Sequence, residues 1–322
     1  MIPDEIFLKI VRNAVKAPSG HNTQPWLFAK EDDGLSIIPD FSRSLPVADA
    51  ENRELFISLG CAAETAMIAA RFYGYKAELN LDLLETKSSI RMILTKHDNS
   101  EQPELFSFIN FRQTTRKPCD NKLIPRQDLE MLKATASKEG VNIRYYIGQN
   151  EMQQFSPFIS EAIRIQMNNP KFRSELIKWM RFSEKEAIQK GDGLYSACSG
   201  VPSMGRMLGS FVLKNFVTAK SENQRMLKQL EKTATVALFT SPNNSFGDWI
   251  KTGMVFQRFA LTATKLNLSH SHLNSPCQIP EVRNKMKSAL GLKGEFSQLI
   301  ICLGYSQKTH FSFRRRINDT IL

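Results

Sequence analysis

The sequence predicts an α+β fold: two similar helix-and-strand units in one chain, the second carrying a helical insertion. Three observations predict it. The 322 residues are 42% hydrophobic, enough for two ordinary domains or one large fused unit. A constant shift of 193 positions lays Ile57-Ser58-Leu59-Gly60 on Ile250-Lys251-Thr252-Gly253, Ala70 on Ala263, and the helix stop Gly74 on Asn267. Each copy has a strand before its long helix and strands after it. A helical, amphipathic stretch, 151–190, falls between two strands of the second unit.

Taken in order, the chain opens with a short amphipathic helix whose face is Ile6, Ile10, Val11 and Val15. Pro18 stops it, since its ring and missing N–H do not suit a helix interior. Leu27–Lys30 and Leu35–Pro39 form a hairpin around Asp32-Asp33-Gly34. After a loop, a long helix runs from Asn52 to Tyr73, rich in small residues that permit close helix approach, and Gly74 ends it. Lys76–Leu83 and Ile90–Thr95 are strands. The second unit starts near Pro103, giving units of 1–102 and 103–322. It holds a helix from Arg126 to Lys138, a strand Val141–Ile147, the helical insertion of about 151–231, a strand Ala234–Thr240, a helix Asp248–Leu266, and closing strands Leu268–His272 and Gln298–Leu303.

Composition narrows the function. The net charge of +11 attracts anions of any kind, but the basic residues are dispersed and no nucleic-acid module accompanies them. No nucleic-acid partner is expected. Nor is a membrane partner: no apolar run approaches the ~18 residues a span needs, and Met1–Glu5 has no signal-like basic and apolar sequence. The five cysteines are odd in number and scattered without a CxxC pair, so a zinc site or disulfide framework is not expected, and a reducing cytoplasm is. There is no Walker loop, GxSxG elbow or HExxH, and Gly191-x-Gly193 lacks the third glycine of a dinucleotide fingerprint. His270 and His272 share one side of a strand without a third ligand, so no metal is expected.

The most informative stretch is Ala17-Pro18-Ser19-Gly20-His21-Asn22-Thr23-Gln24-Pro25-Trp26. It is a turn dense in small polar side chains and free backbone donors, which Gln24-Pro25-Trp26 fixes to a strand. It resembles the flavin-contacting turn of the nitroreductase family, which reads roughly Ala-Pro-Ser-x-x-Asn-x-Gln-Pro-Trp-x-Phe. The family's opening Arg-x-Ser-x-Arg phosphate motif resembles Arg112-x-Thr114-x-Arg116 here, in the other unit. Phe313-Arg314-Arg315-Arg316-Ile317-Asn318-Asp319 resembles its C-terminal Arg-Arg-Pro-Leu-Glu-Glu segment, with Arg316 in place of proline, so the register of Arg314 and Arg315 stays open. Leu273-Asn274-Ser275, with Ile279-Pro280-Glu281 beyond, resembles the Leu-Asn-Gln-Pro stretch of a divergent branch typified by the mycobacterial Acg proteins, fused two-unit relatives with a lid. Gly191-Asp192-Gly193-Leu194 resembles the same branch.

The resemblance implies a nitroreductase-like fold, duplicated within one chain as a pseudo-dimer, with FMN between the halves. Because each motif occurs once, it implies one flavin per chain. Arg112 and Arg314, or Arg315 in its stead, would hold the phosphate by paired charge-assisted hydrogen bonds. Thr114 would donate to a phosphate or ribityl oxygen. Arg116 would face the pyrimidine edge and favour the reduced flavin. Pro18, Ser19, Gly20 and Asn22 would form the flavin turn, and the backbone of Leu273, Asn274 and Ser275 would point at N5 and O4. The implied activity is an oxidoreductase of nitroreductase type: NAD(P)H gives hydride to flavin N5, and electrons pass to a small nitro, quinone or other acceptor, with no side-chain nucleophile. The alternative is a silent flavin-sequestering protein whose lid blocks nicotinamide. A monomeric pseudo-dimer or loose homo-oligomer is expected.

Overall fold

A computed structural model describes residues 2–81, 89–97, 103–136 and 140–322. The last residues of the strand expected to reach Leu83, the end of the helix expected to reach Lys138, and the unit boundary at 102 lie outside the described residues. The first unit begins with α1 (Asp4–Ala14), which has Asp4 and Glu5 in its first turn and Arg12 in its last, matching the helix dipole. It buries Phe7, Ile10, Val11 and Ala14. β1 (Trp26–Glu31) and β2 (Gly34–Pro39) pair antiparallel with Glu31 opposite Gly34, so Asp32 and Asp33 are the loop. α2 (Arg53–Phe72) follows, then β3 (Tyr75–Asn80) and β4 (Ile90–Lys96).

The second unit repeats this order. α3 (Arg126–Ala134) and β5 (Asn142–Ile147) are followed, after the insertion, by β6 (Thr235–Ser241), α4 (Phe246–Lys265), β7 (Ser269–His272) and β8 (Phe296–Gly304). The first sheet has the strand order β1-β2-β4-β3 and the second β5-β6-β8-β7, every pair antiparallel. These are one topology twice. The long helix of each unit covers its own sheet, and the two helices pack on each other, giving layers of sheet, helix, helix, sheet. Gly74 and Asn267, which end the two long helices, both adopt left-handed φ (+84° and +56°), the conformation a helix stop of this kind uses. α2 is long and apolar enough to cross a membrane, which the sequence reading did not anticipate, yet 83% of its apolar window is buried inside the protein.

The insertion joins β5 to β6. The single helical run expected over 151–190 is broken into Ser156–Asn168, Pro170–Trp179 and Glu184–Lys190, the first break falling at Asn169-Pro170, where the Asn169 side chain caps the next helix. Arg206–Phe216 and Ala219–Glu231 follow. Its apolar residues Phe155, Ile159 and Ile163 pack on Val236, Leu238 and Ile300, the far side of the second sheet. β6 is therefore covered on both faces and buried throughout, which is why Val236-Ala237-Leu238-Phe239 is a continuous apolar run and not an alternating one. A helix over Pro280–Ala289 also escaped the sequence reading, which treated that region as part of a binding segment.

Candidate functional site

The turn after α1 carries three non-glycine residues in the left-handed region: His21 (φ +47°), Asn22 (φ +54°) and Gln24 (φ +52°). Such conformations are uncommon outside glycine and persist only where neighbours over-determine them. The neighbours here come from distant parts of the chain. Asn22 Nδ2 donates to Gly193 O and to Phe313 O, both at 3.1 Å, and Gly193 N returns a bond to Asn22 O. Gln24, fully buried, donates from Nε2 to Gly191 O at 2.8 Å and accepts from Arg315 N at 2.9 Å. Ser19 Oγ accepts from Gln24 N inside the turn, and Gly20 N donates to Ser58 Oγ on α2. The expected Gln24-Pro25-Trp26 anchor thus extends further than to its own sheet: Gln24 ties the turn to the insertion and to the C-terminal segment.

Two arginines converge on the backbone just ahead of this turn. Arg314 Nε donates to Val15 O at 3.0 Å and Nη2 to Lys16 O at 3.2 Å, while Arg112 Nη2 donates to Lys16 O at 3.3 Å. Arg112 is 5% exposed, and its Nε and Nη1 are buried without a hydrogen-bond partner. Burial pushes the Arg112 guanidinium down to about 10, and burial together with Arg112 pushes Arg314 down to about 9. Burial and Arg314 also lower Lys16. Both guanidinium groups remain charged at neutral pH. They form a cationic cradle whose unused donors are Arg112 Nε and Nη1, and a doubly charged phosphate matches that charge.

Arg315 goes elsewhere. Its Nη1 donates to Gln24 O and Trp26 O and lies 3.8 Å from Asp40 Oδ2, so it staples the turn to β1. Arg314, and not Arg315, shares Lys16 O with Arg112.

Thr114 forms a parallel bridge with His270, and Thr115 N donates to His270 O at 2.9 Å, which lays the 112–116 segment along β7. Arg116 Nη1 reaches Ser199 Oγ of the insertion at 3.4 Å. Three histidines stand near these cations. Burial, then Arg116, brings His21 down to about 4. Burial, then Arg112 and Arg116, does the same to His272, and burial, then Arg112 and His272, lowers His270 well below its ordinary value. Neither ring nitrogen of His270 has a partner. Among the described residues no group of three or more potential metal ligands occurs.

Within 273–275, Leu273 departs from its expected role. Leu273 packs in the core with Leu45 and Phe155, and its N–H donates to Ile300 O at 2.9 Å, so neither its side chain nor its amide is available to a ligand. The Asn274 side chain is committed: Nδ2 donates to Glu54 Oε1, and Oδ1 accepts from Ile300 N. Ser275 is the first residue of a short helix, Ser275–Gln278. The sequence reading missed Glu54, a buried carboxylate on α2 that also accepts from Gln278 Nε2 and pairs with Arg53 at 3.2 Å. A Cβ on Gly20 would stand 3.6 Å from its Oε2, so Glu54 links the turn to Asn274. Also missed was Asp192, which pairs with Arg43 and Arg181 and holds the 191–193 loop down. No sequence signal marks the pairings of Glu54 with Asn274 and Gln278 or of Asp192 with Arg43, whose partners lie far apart along the chain.

No family model matches the chain. Over 320 residues it is 22% identical to "Putative NAD(P)H nitroreductase Rv3131" of Mycobacterium tuberculosis, covering 94% of this chain and 86% of that protein. It is 29% identical over 79 residues, 24% of each chain, to "Putative NAD(P)H nitroreductase acg" of the same organism. Among solved structures, a nitroreductase-like family protein from Bacillus cereus overlays on 67% of this chain and 93% of its own, with a TM-score of 0.42 and 14% identity. A nitroreductase with bound FMN from Bacteroides fragilis overlays on 66% and 94%, with a TM-score of 0.41 and 12% identity. Over nearly its whole length the chain is thus similar, at 22% identity, to putative NAD(P)H nitroreductases.

Proposed function

We propose that this chain binds one FMN between two units, 1–102 and 103–322, and acts as an NAD(P)H-dependent oxidoreductase on a nitro compound, a quinone or another small acceptor. The observation that carries the reading is buried Arg112, with two unpartnered guanidinium nitrogens, sharing Lys16 O with Arg314 beside a left-handed turn. Two cations on one carbonyl, Lys16 O, are costly unless an anion completes the site. FMN, when bound, supplies the redox chemistry, accepting electrons from a nicotinamide and releasing them to an acceptor.

The protein's part is position and charge. Arg112 and Arg314 hold the phosphate, and the Thr114 hydroxyl donates to an adjoining phosphate or ribityl oxygen. Arg116 places a positive charge at the end of the cofactor where negative charge collects on reduction, which raises its tendency to accept electrons. The 18–22 turn contributes Ser19, Gly20 and Asn22, and the backbone after Asn274 is the remaining candidate donor. The insertion, about 151–231, excludes water and limits access.

A second reading, a flavin-sequestering protein without turnover, is favoured by one observation: the two-way bond between Asn22 and Gly193 ties the insertion onto the turn. One preparation separates the two. Protein that is yellow as purified, carries FMN at one equivalent and is bleached by NADPH supports the enzyme. Yellow protein that neither nucleotide bleaches supports sequestration, and colourless protein that takes up no FMN rejects both.

A further inference from the structure

We propose that the cavity between the Ala197–Gly200 turn of the insertion and the 308–310 segment is a subsite for a phosphate monoester. It is an open depression of about 370 Å³, within the ~300–1,000 Å³ typical of small-molecule pockets. Its lining is Lys117, Ala197, Gly200, Lys308, Thr309 and His310, with two ammonium groups and an imidazole and no carboxylate. Lys117 Nζ donates to the neutral Gln307 Oε1 at 3.2 Å, so its charge is left unmet there. Thr309 Oγ1 is buried without a hydrogen-bond partner. A buried hydroxyl of that kind is costly to leave unpaired.

The cavity is held in shape by its surroundings. Gln113 clamps the 309–310 backbone, donating to Thr309 O at 2.7 Å and His310 O at 3.0 Å and accepting from Thr309 N at 2.9 Å. The Tyr195 ring stands edge-on to His310 at 6.3 Å. Arg116 bonds Ser199 on the same insertion turn that forms one wall. A phosphate monoester carries close to two negative charges at neutral pH and three acceptor oxygens. Two lysines and a hydroxyl supply charge and a directional donor in matching number. The subsite is separate from the Arg112–Arg314 cradle, which lines none of it.

This inference rests on the oxidoreductase reading in one respect, the source of the phosphate: it is assigned to the 2′-phosphate of NADPH. The test titrates the FMN-loaded protein, Lys117→Ala/Lys308→Ala and Thr309→Val with NADPH, NADH, 2′,5′-ADP and inorganic phosphate by calorimetry. NADPH is expected to bind at least tenfold more tightly than NADH. The double variant should erase that margin while leaving NADH affinity and retained FMN unchanged, and Thr309→Val should narrow it. Phosphate and 2′,5′-ADP binding that weakens in the variants, with NADPH and NADH equal, keeps the monoester subsite and moves its source to the electron acceptor. Equal nucleotide affinities with no phosphate binding that the variants weaken overturns the proposal. Loss of FMN, or flavin that neither nucleotide bleaches, counts against the enzyme reading alone, because phosphate titration of the same protein still scores the cavity.

Discussion

Gly60 and Gly253 meet reciprocally where α2 crosses α4. A Cβ on Gly60 would lie 2.1 Å from Ile250 O, and a Cβ on Gly253 would lie 1.9 Å from Ile57 O. Each helix offers a glycine to the carbonyl that precedes the other's glycine by one turn, the i-to-j and j-to-i pattern of surfaces related by a two-fold axis. Cys61 Sγ also reaches Gly253 O at 3.2 Å, so the backbones are in direct contact.

Neither carbonyl can move without breaking its own helix, so a methyl group at either position forces the helices apart. Gly60→Ala and Gly253→Ala should each destabilise by about 1–3 kcal/mol or more, the cost of overpacking a filled core. Gly247→Ala, whose added Cβ would meet nothing closer than 3.9 Å, is the control and should be close to neutral. Urea unfolding of the three variants reads this directly.

The cationic cradle should trade stability for binding. Arg112 is buried with two unpartnered nitrogens, so Arg112→Met removes an uncompensated charge and should leave the flavin-free protein as stable as the original or more so. The same change should weaken FMN binding by roughly 10–100-fold, the worth of hydrogen bonds to a charged group. Fluorescence titration with FMN and thermal unfolding without it give the two halves. A drop in both would mean that Arg112 is merely structural.

Acid should weaken the fold through the buried histidines. His21 and His272 are held near 4 when folded, against about 6.5 in an unfolded chain. The unfolded state therefore binds more protons between those values. The stabilisation is complete above about pH 6.5 and is lost as pH falls toward 4. Comparing urea unfolding at pH 7 and pH 5 for the original protein and His272→Phe isolates the contribution. The variant should lose less stability on acidification by about 1–2 kcal/mol, since each unit of pKa difference is worth about 1.4 kcal/mol.

The insertion loop should open when its anchor on the turn is cut. Asn22→Ala removes the donor to both Gly193 O and Phe313 O and leaves a non-glycine residue in a left-handed conformation with less to hold it. Cleavage by trypsin or chymotrypsin between 190 and 205 should speed up several-fold in the variant, and FMN should slow it in the original protein. Unchanged cleavage in both comparisons would show that this loop is no lid.

The pattern of helices and strands was largely legible because it is local. Periodicity, Pro18, the Asp32-Asp33-Gly34 turn and the stop at Gly74 act within a few residues of themselves. The break at Asn169-Pro170 was equally local and was overlooked inside a long apolar periodicity. The helix at Pro280–Ala289 was hidden for another reason: its motif-like start drew a binding role onto residues that simply begin a helix.

The candidate site was legible only in part. Spaced arginines and a rare turn string can be seen in a line of letters, since charge and backbone freedom belong to single residues. That Leu273 and Asn274 are consumed by the core and by Glu54, and that Arg314 and not Arg315 faces Arg112, depends on partners one to three hundred positions away.

By itself the sequence determined the fold class and the cationic and turn motifs, because these follow from the period of apolar residues and from the chemistry of individual side chains. Only the tertiary structure decided the common strand order of the two sheets, the reciprocal glycine crossing and the cavity at Thr309. Each of these depends on which distant backbone comes within a few ångströms of another, and close packing fixes that only when the whole chain has folded.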